Sequence, residues 1–173
     1  MKKGLKAFLG VLVILYILIA ILTTTFLIKR NDYGVVKIGD KSYFLVENEE
    51  LGEEYDNHTL IVVTRTPNSD INVGDNVFYY DTYTHNKTIK FNEVTKKEDI
   101  NENETTFTTK DNSSFSSSFL LGSEENMSSY VLFGKIFFVL QSRWGFLFLI
   151  IFPLLLAFLY EIYALVKEVK GNK

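Results

Sequence analysis

The chain of 173 residues contains no cysteine and only two histidines, two prolines and one tryptophan. Without cysteine, a disulfide framework, a zinc ribbon, an iron–sulfur site and a cysteine nucleophile are all excluded. His58 and His85 lie 27 positions apart and belong to no spaced metal motif. The sequence also has no GxSxG elbow, no Walker loop and no GxGxxG motif. We therefore predict neither a bound metal nor an organic cofactor.

Basic residues are scarce in the middle of the chain. Residues 31–143 hold 19 of the 21 acidic residues and 10 of the 18 basic residues, a net charge of −9, whereas the two ends together carry +6. Because phosphate contacts need clustered Lys and Arg, this balance argues against nucleic-acid binding by the middle. The same division argues against a single soluble globule.

Charged residues are almost missing from two long apolar runs. Leu5–Ile28 has 24 residues with Lys6 as its one charge, and Gly145–Leu165 has 21 residues with Glu161 as its one charge. A helix over the first run is roughly 36 Å long, enough to cross a hydrocarbon core of about 30 Å. This run is too long for the apolar region of a cleaved signal peptide, and no small-x-small site follows it. It therefore predicts an uncleaved signal anchor, and the second run predicts a second span.

Two spans place both termini on the same side of a membrane. Three lysines lie at the start of the first span (Lys2, Lys3 and Lys6) and three follow the second, against Lys29, Arg30 and Arg143 on the inner flanks. The positive-inside rule then predicts cytoplasmic termini and an extracytoplasmic middle. The predicted organisation is an N-terminal signal anchor, an extracytoplasmic domain, a second transmembrane helix and a basic cytoplasmic tail, at residues 1–30, 31–143, 144–166 and 167–173.

Short runs of β-branched and aromatic residues, separated by polar clusters, predict strands in the middle of the chain. A turn is predicted at Gly74-Asp75 and a hairpin tip at 84–88. Residues 110–130, rich in Ser and Asn, predict a surface loop, and 130–140 an apolar stretch leading into the second span. The predicted strands are 41–46, 59–64, 73–80, 88–94 and 105–109. Such spacing predicts a mainly β fold: a small antiparallel, β-barrel-like extracytoplasmic domain between two transmembrane helices.

The densest charged feature is the run 47–56, with six acidic residues in ten positions. Oxygen ligands in series suit calcium, but the run lacks the alternating acids and the fixed glycine of an EF-hand. The pattern favours a solvated acidic loop.

Several stretches occur in an order typical of one family. Residues 71–79 match the pattern I-x-V-G-D-x-V-x-Y, residues 108–112 read T-T-K-D-N, and Gly134-Lys135 lies ahead of the second apolar run. This order resembles the signal peptidase I family, in the branch shared by archaea, the endoplasmic reticulum and some Gram-positive bacteria. In that family a membrane helix leads into a β domain whose opening strand ends in Ser-Met-x-Pro-x-x-x-x-Gly-Asp. Residues 46–63 follow this frame without a gap, with Leu51 at the Met position.

The same frame places Glu50 where the family has its nucleophilic serine. A carboxylate cannot form the required acyl-enzyme, and it adds negative charge where an oxyanion must be stabilised. The family's base is a His or a Lys. Here the matching stretch, 91–94, has no His, although Lys96 and Lys97 follow it, and Asp111 falls at the position of the orienting acid.

The resemblance implies an inactive relative of signal peptidase that binds pre-protein signal peptides or a component of secretion or surface assembly. The residues it implies for binding are Leu51, Val73, Gly74, Asp75 and Val77. Two alternatives stay open. One is an active membrane serine peptidase with a relocated Ser–Lys pair, for which Ser42, Ser69 and residues 113–118 offer hydroxyls. The other is a structural or adhesive surface domain on two membrane anchors.

Overall fold

The computed structural model describes residues 3–47, 51, 53–83, 87–101 and 104–171. The chain divides into two compact units. One is a helical unit, formed by the chain up to Leu27 and from Ile136 onward; the other is a β unit, Ile28–Lys135.

The helical unit contains the long apolar helices that the sequence predicts. Helix α1 is Lys3–Lys29, and the shorter α2 is Val131–Gln141. A third helical segment, called α3 here, begins with Arg143–Gly145, continues as a π-helical stretch, Phe146–Ile151, and ends as Phe152–Gly171. Within the described residues, two helices, Gly10–Lys29 and Arg143–Lys170, are long and apolar enough to span a membrane.

A tyrosine hydroxyl of α1 donates to backbone carbonyls of α3. Pro153 has no N–H to donate to the carbonyl of Leu149, its usual helical partner four residues earlier. The Tyr16 hydroxyl lies 2.7 Å from the carbonyl oxygen of Ile150 and 3.1 Å from that of Leu149, and it donates there. The proline is therefore accommodated by a π-helical stretch and a hydrogen bond from the neighbouring helix.

The β unit has nine strands within the described residues, arranged in two antiparallel sheets. The four-stranded sheet has the order β1-β2-β3-β9, and the five-stranded sheet has the order β7-β6-β5-β4-β8. The strands are β1 Val36–Ile38, β2 Lys41–Leu45, β3 Leu60–Thr64, β4 Asn76–Tyr80, β5 Ile89–Asn101, β6 Glu104–Thr109, β7 Ser114–Ser116, β8 Leu120–Ser123 and β9 Met127–Tyr130. Three short 3-10 turns, Asn68–Asp70, Ser117–Phe119 and Glu124–Asn126, lie between them.

Two hydrophobic cores stabilise the β unit, and β4 contributes to both. Phe78 and Tyr80 of this strand belong to core 1, which also contains residues of the four-stranded sheet such as Phe44 and Ile61. Val77 and Tyr79, which alternate with them, belong to core 2. Successive side chains of a strand point to opposite faces, so β4 is buried on both faces. This explains its unbroken apolar run.

The five predicted strands are present, but β4 begins at Asn76 instead of Val73, and β1 was not predicted. Of the hairpin tip predicted at 84–88, residues 84–86 lie outside the described residues. Strand β5 is longer than expected, because its first half pairs with β4 and its second half, from Val94 onward, pairs with β6. The surface loop predicted at 110–130 is wrong, since β7, β8 and β9 lie there. Phe115 stacks on Tyr79 at a ring-centre distance of 4.0 Å, and all four residues of β8 are buried. The serines that suggested a loop alternate with, or flank, these apolar residues.

Candidate functional site

The residues that the sequence predicts for binding fall in different parts of the β unit. Leu51 is fully buried in core 1, whereas Val77 is fully buried in core 2. Val73 is 61% exposed and precedes the turn at Gly74 and Asp75. Glu50, at the nucleophile-equivalent position, lies outside the described residues. A binding role for these residues stays a prediction.

The Gly74-Asp75 turn forms as predicted. Gly74 has a φ of +101°, a conformation that favours glycine. Its N–H donates to the carbonyl of Val94 at 2.7 Å, and the N–H of Val94 donates to the carbonyl of Asp75 at 2.9 Å. The Asp75 carboxylate accepts from the N–H of Asn72 at 2.7 Å. The turn therefore fixes the start of β4 against the middle of β5.

The segment between β2 and β3 is fixed by backbone hydrogen bonds between its two ends and by the packing of Leu51 and Tyr55. The N–H of Val46 donates to the carbonyl of Thr59, and the N–H of His58 donates to the carbonyl of Val46. Leu51 anchors the described part of the loop in core 1, and the Tyr55 ring packs on Phe78 at 6.0 Å. Burial raises the pKa of Tyr55, and the nearby Glu124 and Glu54 carboxylates raise it further. Tyr55 therefore stays a neutral phenol.

A cavity of about 230 Å³ lies beside Leu51. Its apolar lining comes from Tyr33, Leu45, Leu51 and Ile89. Arg30 and Glu47 also line it, and they form an ion pair with a nitrogen–oxygen distance of 2.8 Å. The lining is mixed, because Lys87 and Thr88 also contribute to it. The cavity has room for a small apolar side chain, and the ion pair lies in its wall.

A charged cluster lies where β4 and β5 approach the 110–113 turn. The amino group of Lys90 is 3.7 Å from the carboxylate of Asp81 and 3.6 Å from that of Asp111. Asp81 is buried, and its other carboxylate oxygen accepts from the N–H of Tyr83 at 2.9 Å. The cluster thus neutralises a carboxylate that would be costly to bury alone.

Asp111 has three further hydrogen-bond donors. The Thr109 hydroxyl donates to it at 2.6 Å, and Ser113 donates through its N–H at 3.1 Å and its hydroxyl at 2.9 Å. Burial raises the pKa of Asp111, but these hydrogen bonds and the charge of Lys90 outweigh burial and lower the pKa below its ordinary value. Asp111 is therefore ionised at neutral pH.

This arrangement favours a structural role for Lys90. A lysine that acts as a general base must take a proton from a neighbouring hydroxyl. The hydroxyl of Ser113 instead donates to Asp111, the same carboxylate that Lys90 faces. The cluster joins β4, β5 and the 110–113 turn through charge and hydrogen bonds.

The other predicted hydroxyls and lysines have different surroundings. Ser42 is buried in β2, and Lys96 is paired with Glu98 at 2.6 Å. Ser69 and Lys97 line one cavity. However, the Ser69 hydroxyl donates to Asp70 at 2.7 Å, and the Lys97 amino group donates to the carbonyls of Asn68 and Ile71. The two side chains are thus brought together without the hydrogen bond that a Ser–Lys pair uses.

Sequence reasoning missed the pairing of Lys90 with Asp81. A signal was present: Asp81 follows the predicted strand 73–80, and Lys90 lies in the predicted strand 88–94. If these strands pair as a hairpin, Lys90 lies next to the end of the first strand, which Asp81 follows. The observed register, with Tyr79 opposite Lys90, has this arrangement. The approach of Asp111 to Lys90 also depends on the pairing of β6 with β5, which local sequence patterns do not specify.

Comparisons with protein-family models, with curated proteins and with solved structures find no match to this chain.

Proposed function

We propose that this chain is a membrane protein with two spans and cytoplasmic termini, whose extracytoplasmic β unit is a barrel-like relative of the signal peptidase domain. It binds an extended peptide, from a pre-protein signal region or a secretion component, without cleaving it. The two long apolar helices, the two antiparallel sheets and the motif order support this proposal.

The observation that carries the proposal is the position of Leu51. In the signal-peptidase frame this residue follows the nucleophile position. It lines a cavity together with Ile89 and the Arg30–Glu47 ion pair. The residue before Leu51 in the sequence is Glu50, which takes the nucleophile position in that frame instead of a serine. The site therefore supports recognition and lacks the group that begins hydrolysis.

The surroundings of Asp111 support the absence of cleavage. Asp111 takes the position of the family's orienting acid, and its neighbour Lys90 faces two carboxylates. The partners of Asp111 are thus those of a structural ion-pair network. A network of this type stabilises the strands around it and supplies no activated nucleophile.

Peptide binding can be tested by filling the cavity. Thr88 lines it and is half-buried, so Thr88→Trp adds bulk there. With a fluorescent peptide that matches a pre-protein cleavage region, we expect this variant to weaken binding to the detergent-purified chain about tenfold, or about 1.4 kcal/mol.

The matched control is Thr95→Trp, which makes the same change at an exposed position of β5. The control should bind as the native chain does. Equal affinity for both variants would remove the cavity from the proposal, and no binding by the native chain would favour the structural or adhesive alternative.

One observation favours an active peptidase as a second candidate: Ser69 and Lys97 share a cavity. If they form a catalytic pair after rearrangement, the native chain cleaves a pre-protein and Ser69→Ala abolishes the cleavage. Cleavage that survives Ser69→Ala excludes this pair.

A further inference from the structure

Helix α2 has an unusual distribution of apolar side chains. Leu132, Ile136 and Val139 follow one another at spacings of four and three residues, so they form one stripe along the helix. Their exposed fractions are 69%, 49% and 50%. A helix on a water-soluble domain presents polar residues on its exposed side. In α2, the exposed stripe is apolar.

A different side of α2 packs against the protein. Gly134 is buried, and a Cβ there would lie 2.1 Å from the carbonyl oxygen of His58 and 2.3 Å from the nitrogen of Leu60. Only glycine allows the helix to approach the start of β3 this closely. Further along, the Phe137 ring meets Phe26 of α1 edge-on at 4.8 Å. These contacts leave the Leu132–Ile136–Val139 stripe uncovered.

The length of α2 excludes an independent span. Its 11 residues extend about 16 Å, roughly half of a hydrocarbon core. One residue, Ser142, separates it from α3, and the Ser142 hydroxyl accepts from the N–H of Gly145 at 3.0 Å to start the new helix. The chain thus passes directly from α2 into a segment that is long and apolar enough to cross a membrane.

We propose that the stripe of Leu132, Ile136 and Val139 is embedded in the interfacial region of the lipid bilayer. This inference rests on the proposed membrane insertion of α1 and α3. Continuity with α3 selects lipid as the occupant. Tyr130 precedes α2 and Trp144 follows it, and both side chains are exposed. Tyrosine and tryptophan are the residue types that favour membrane interfaces.

The natural absence of cysteine permits a direct test, because a single introduced cysteine can be labelled without background. The variants Leu132→Cys, Ile136→Cys and Val139→Cys receive an environment-sensitive fluorophore. The full chain is then placed in vesicles of phosphatidylcholine and phosphatidylglycerol. Quenching is measured with nitroxide-labelled lipid and with aqueous iodide. Leu155→Cys in α3 is the buried-in-lipid control, and Ile100→Cys on β5 is the water-exposed control.

We expect lipid nitroxides near the head groups to quench the three α2 labels several-fold more strongly than the Ile100 label, and iodide to show the reverse order. Iodide quenching equal to that at Ile100 would overturn the inference. Protection from both quenchers would also overturn it, because a second protein surface would then cover the stripe. If the Leu155 label is itself open to iodide, the proposed membrane insertion fails as well, so the two failures are distinguishable.

Discussion

The helical unit and the β unit distribute apolar side chains in opposite ways. In the helical unit, large residues such as Leu155 and Phe158 are exposed along the length of α3, while the Tyr16 hydroxyl is satisfied by backbone carbonyls. In the β unit, Phe78 and Val63 are fully buried, and most charged side chains lie outside. The exposed side chains are therefore apolar on helices long and apolar enough to span a membrane, and more polar on the sheets.

The contrast also applies to polar interactions. The β unit contains a network in which Lys90, Asp81 and Asp111 share charge and several hydroxyl donors. In the helical unit, the neutral Tyr16 hydroxyl of α1 donates to backbone carbonyls of α3. We therefore expect substitutions in the β unit to have the larger effects on folding.

The largest effect is expected for Phe78→Ala. Phe78 is fully buried and its ring contacts Phe44, Tyr55 and Phe91. Loss of a buried phenylalanine should lower the free energy of unfolding of the β unit by about 4 kcal/mol. Denaturant titration in detergent, with near-ultraviolet circular dichroism as the signal, measures this change.

The control for that substitution is Phe158→Ala, at an exposed position of α3. It should leave the unfolding of the β unit unchanged. A comparable loss from both variants would contradict the different distribution of apolar side chains in the two units.

The next largest effect is expected for Lys90→Met. This change leaves the buried Asp81 carboxylate without its nearby cation, so the free energy of unfolding should fall by about 3 kcal/mol. Lys96→Met removes an exposed lysine paired with Glu98 and should cost less than about 1 kcal/mol. The same denaturant titration compares the two. Equal losses would show that the Lys90 cluster contributes no more than a surface ion pair.

Acidification should weaken the same cluster. The folded-state pKa of Asp111 is lower than its ordinary value of 3.8, so its charged form stabilises the folded state above that pH. This contribution is lost as the pH falls through the lowered folded pKa. At neutral pH, Asp111→Asn should reduce the free energy of unfolding by about 1 kcal/mol, because hydrogen bonds to a charged acceptor are weakened.

Below pH 3.8 the difference between Asp111→Asn and the native chain should narrow. Titrations at a series of pH values, with both proteins in the same detergent, test this. A difference that is independent of pH would show that the Asp111 charge makes no contribution.

The smallest effect is expected for Tyr16→Phe. Hydrogen bonds between membrane helices contribute about 0.6 kcal/mol on average, and this variant removes one to Ile150. Trp144, the only tryptophan, begins α3 and reports on the helical unit by fluorescence during titration with dodecyl sulfate. Tyr163→Phe, at an exposed position, is the control. If both variants unfold at the same dodecyl sulfate concentration, the Tyr16 bond does not stabilise the helix pair.

Elements with a strong local pattern could be predicted from the sequence. The long apolar runs predicted α1 and α3, and alternating or β-branched runs predicted β2, β3 and β4. The short strands of 110–130 could not be recognised in this way. Their apolar residues, such as Phe115 and Leu121, are few, and they become buried only when they meet β4 and β3.

The candidate site was less accessible to sequence reasoning for the same reason. Leu51 was identified through the family frame, but its cavity includes Arg30, which lies 21 positions earlier in the chain, and Ile89, which lies 38 positions later. Lys90 and Asp111 approach each other only through the pairing of β4, β5 and β6. Non-local contacts of this kind depend on tertiary structure, which local patterns do not determine.

Incubation of detergent-purified chain with a pre-protein, beside the variant Glu50→Ser, tests the central claim most directly. The account predicts that the native chain binds the pre-protein and leaves it intact, because position 50 has no nucleophilic hydroxyl. Cleavage by Glu50→Ser alone would further establish the signal-peptidase frame. Cleavage by the native chain would contradict the account.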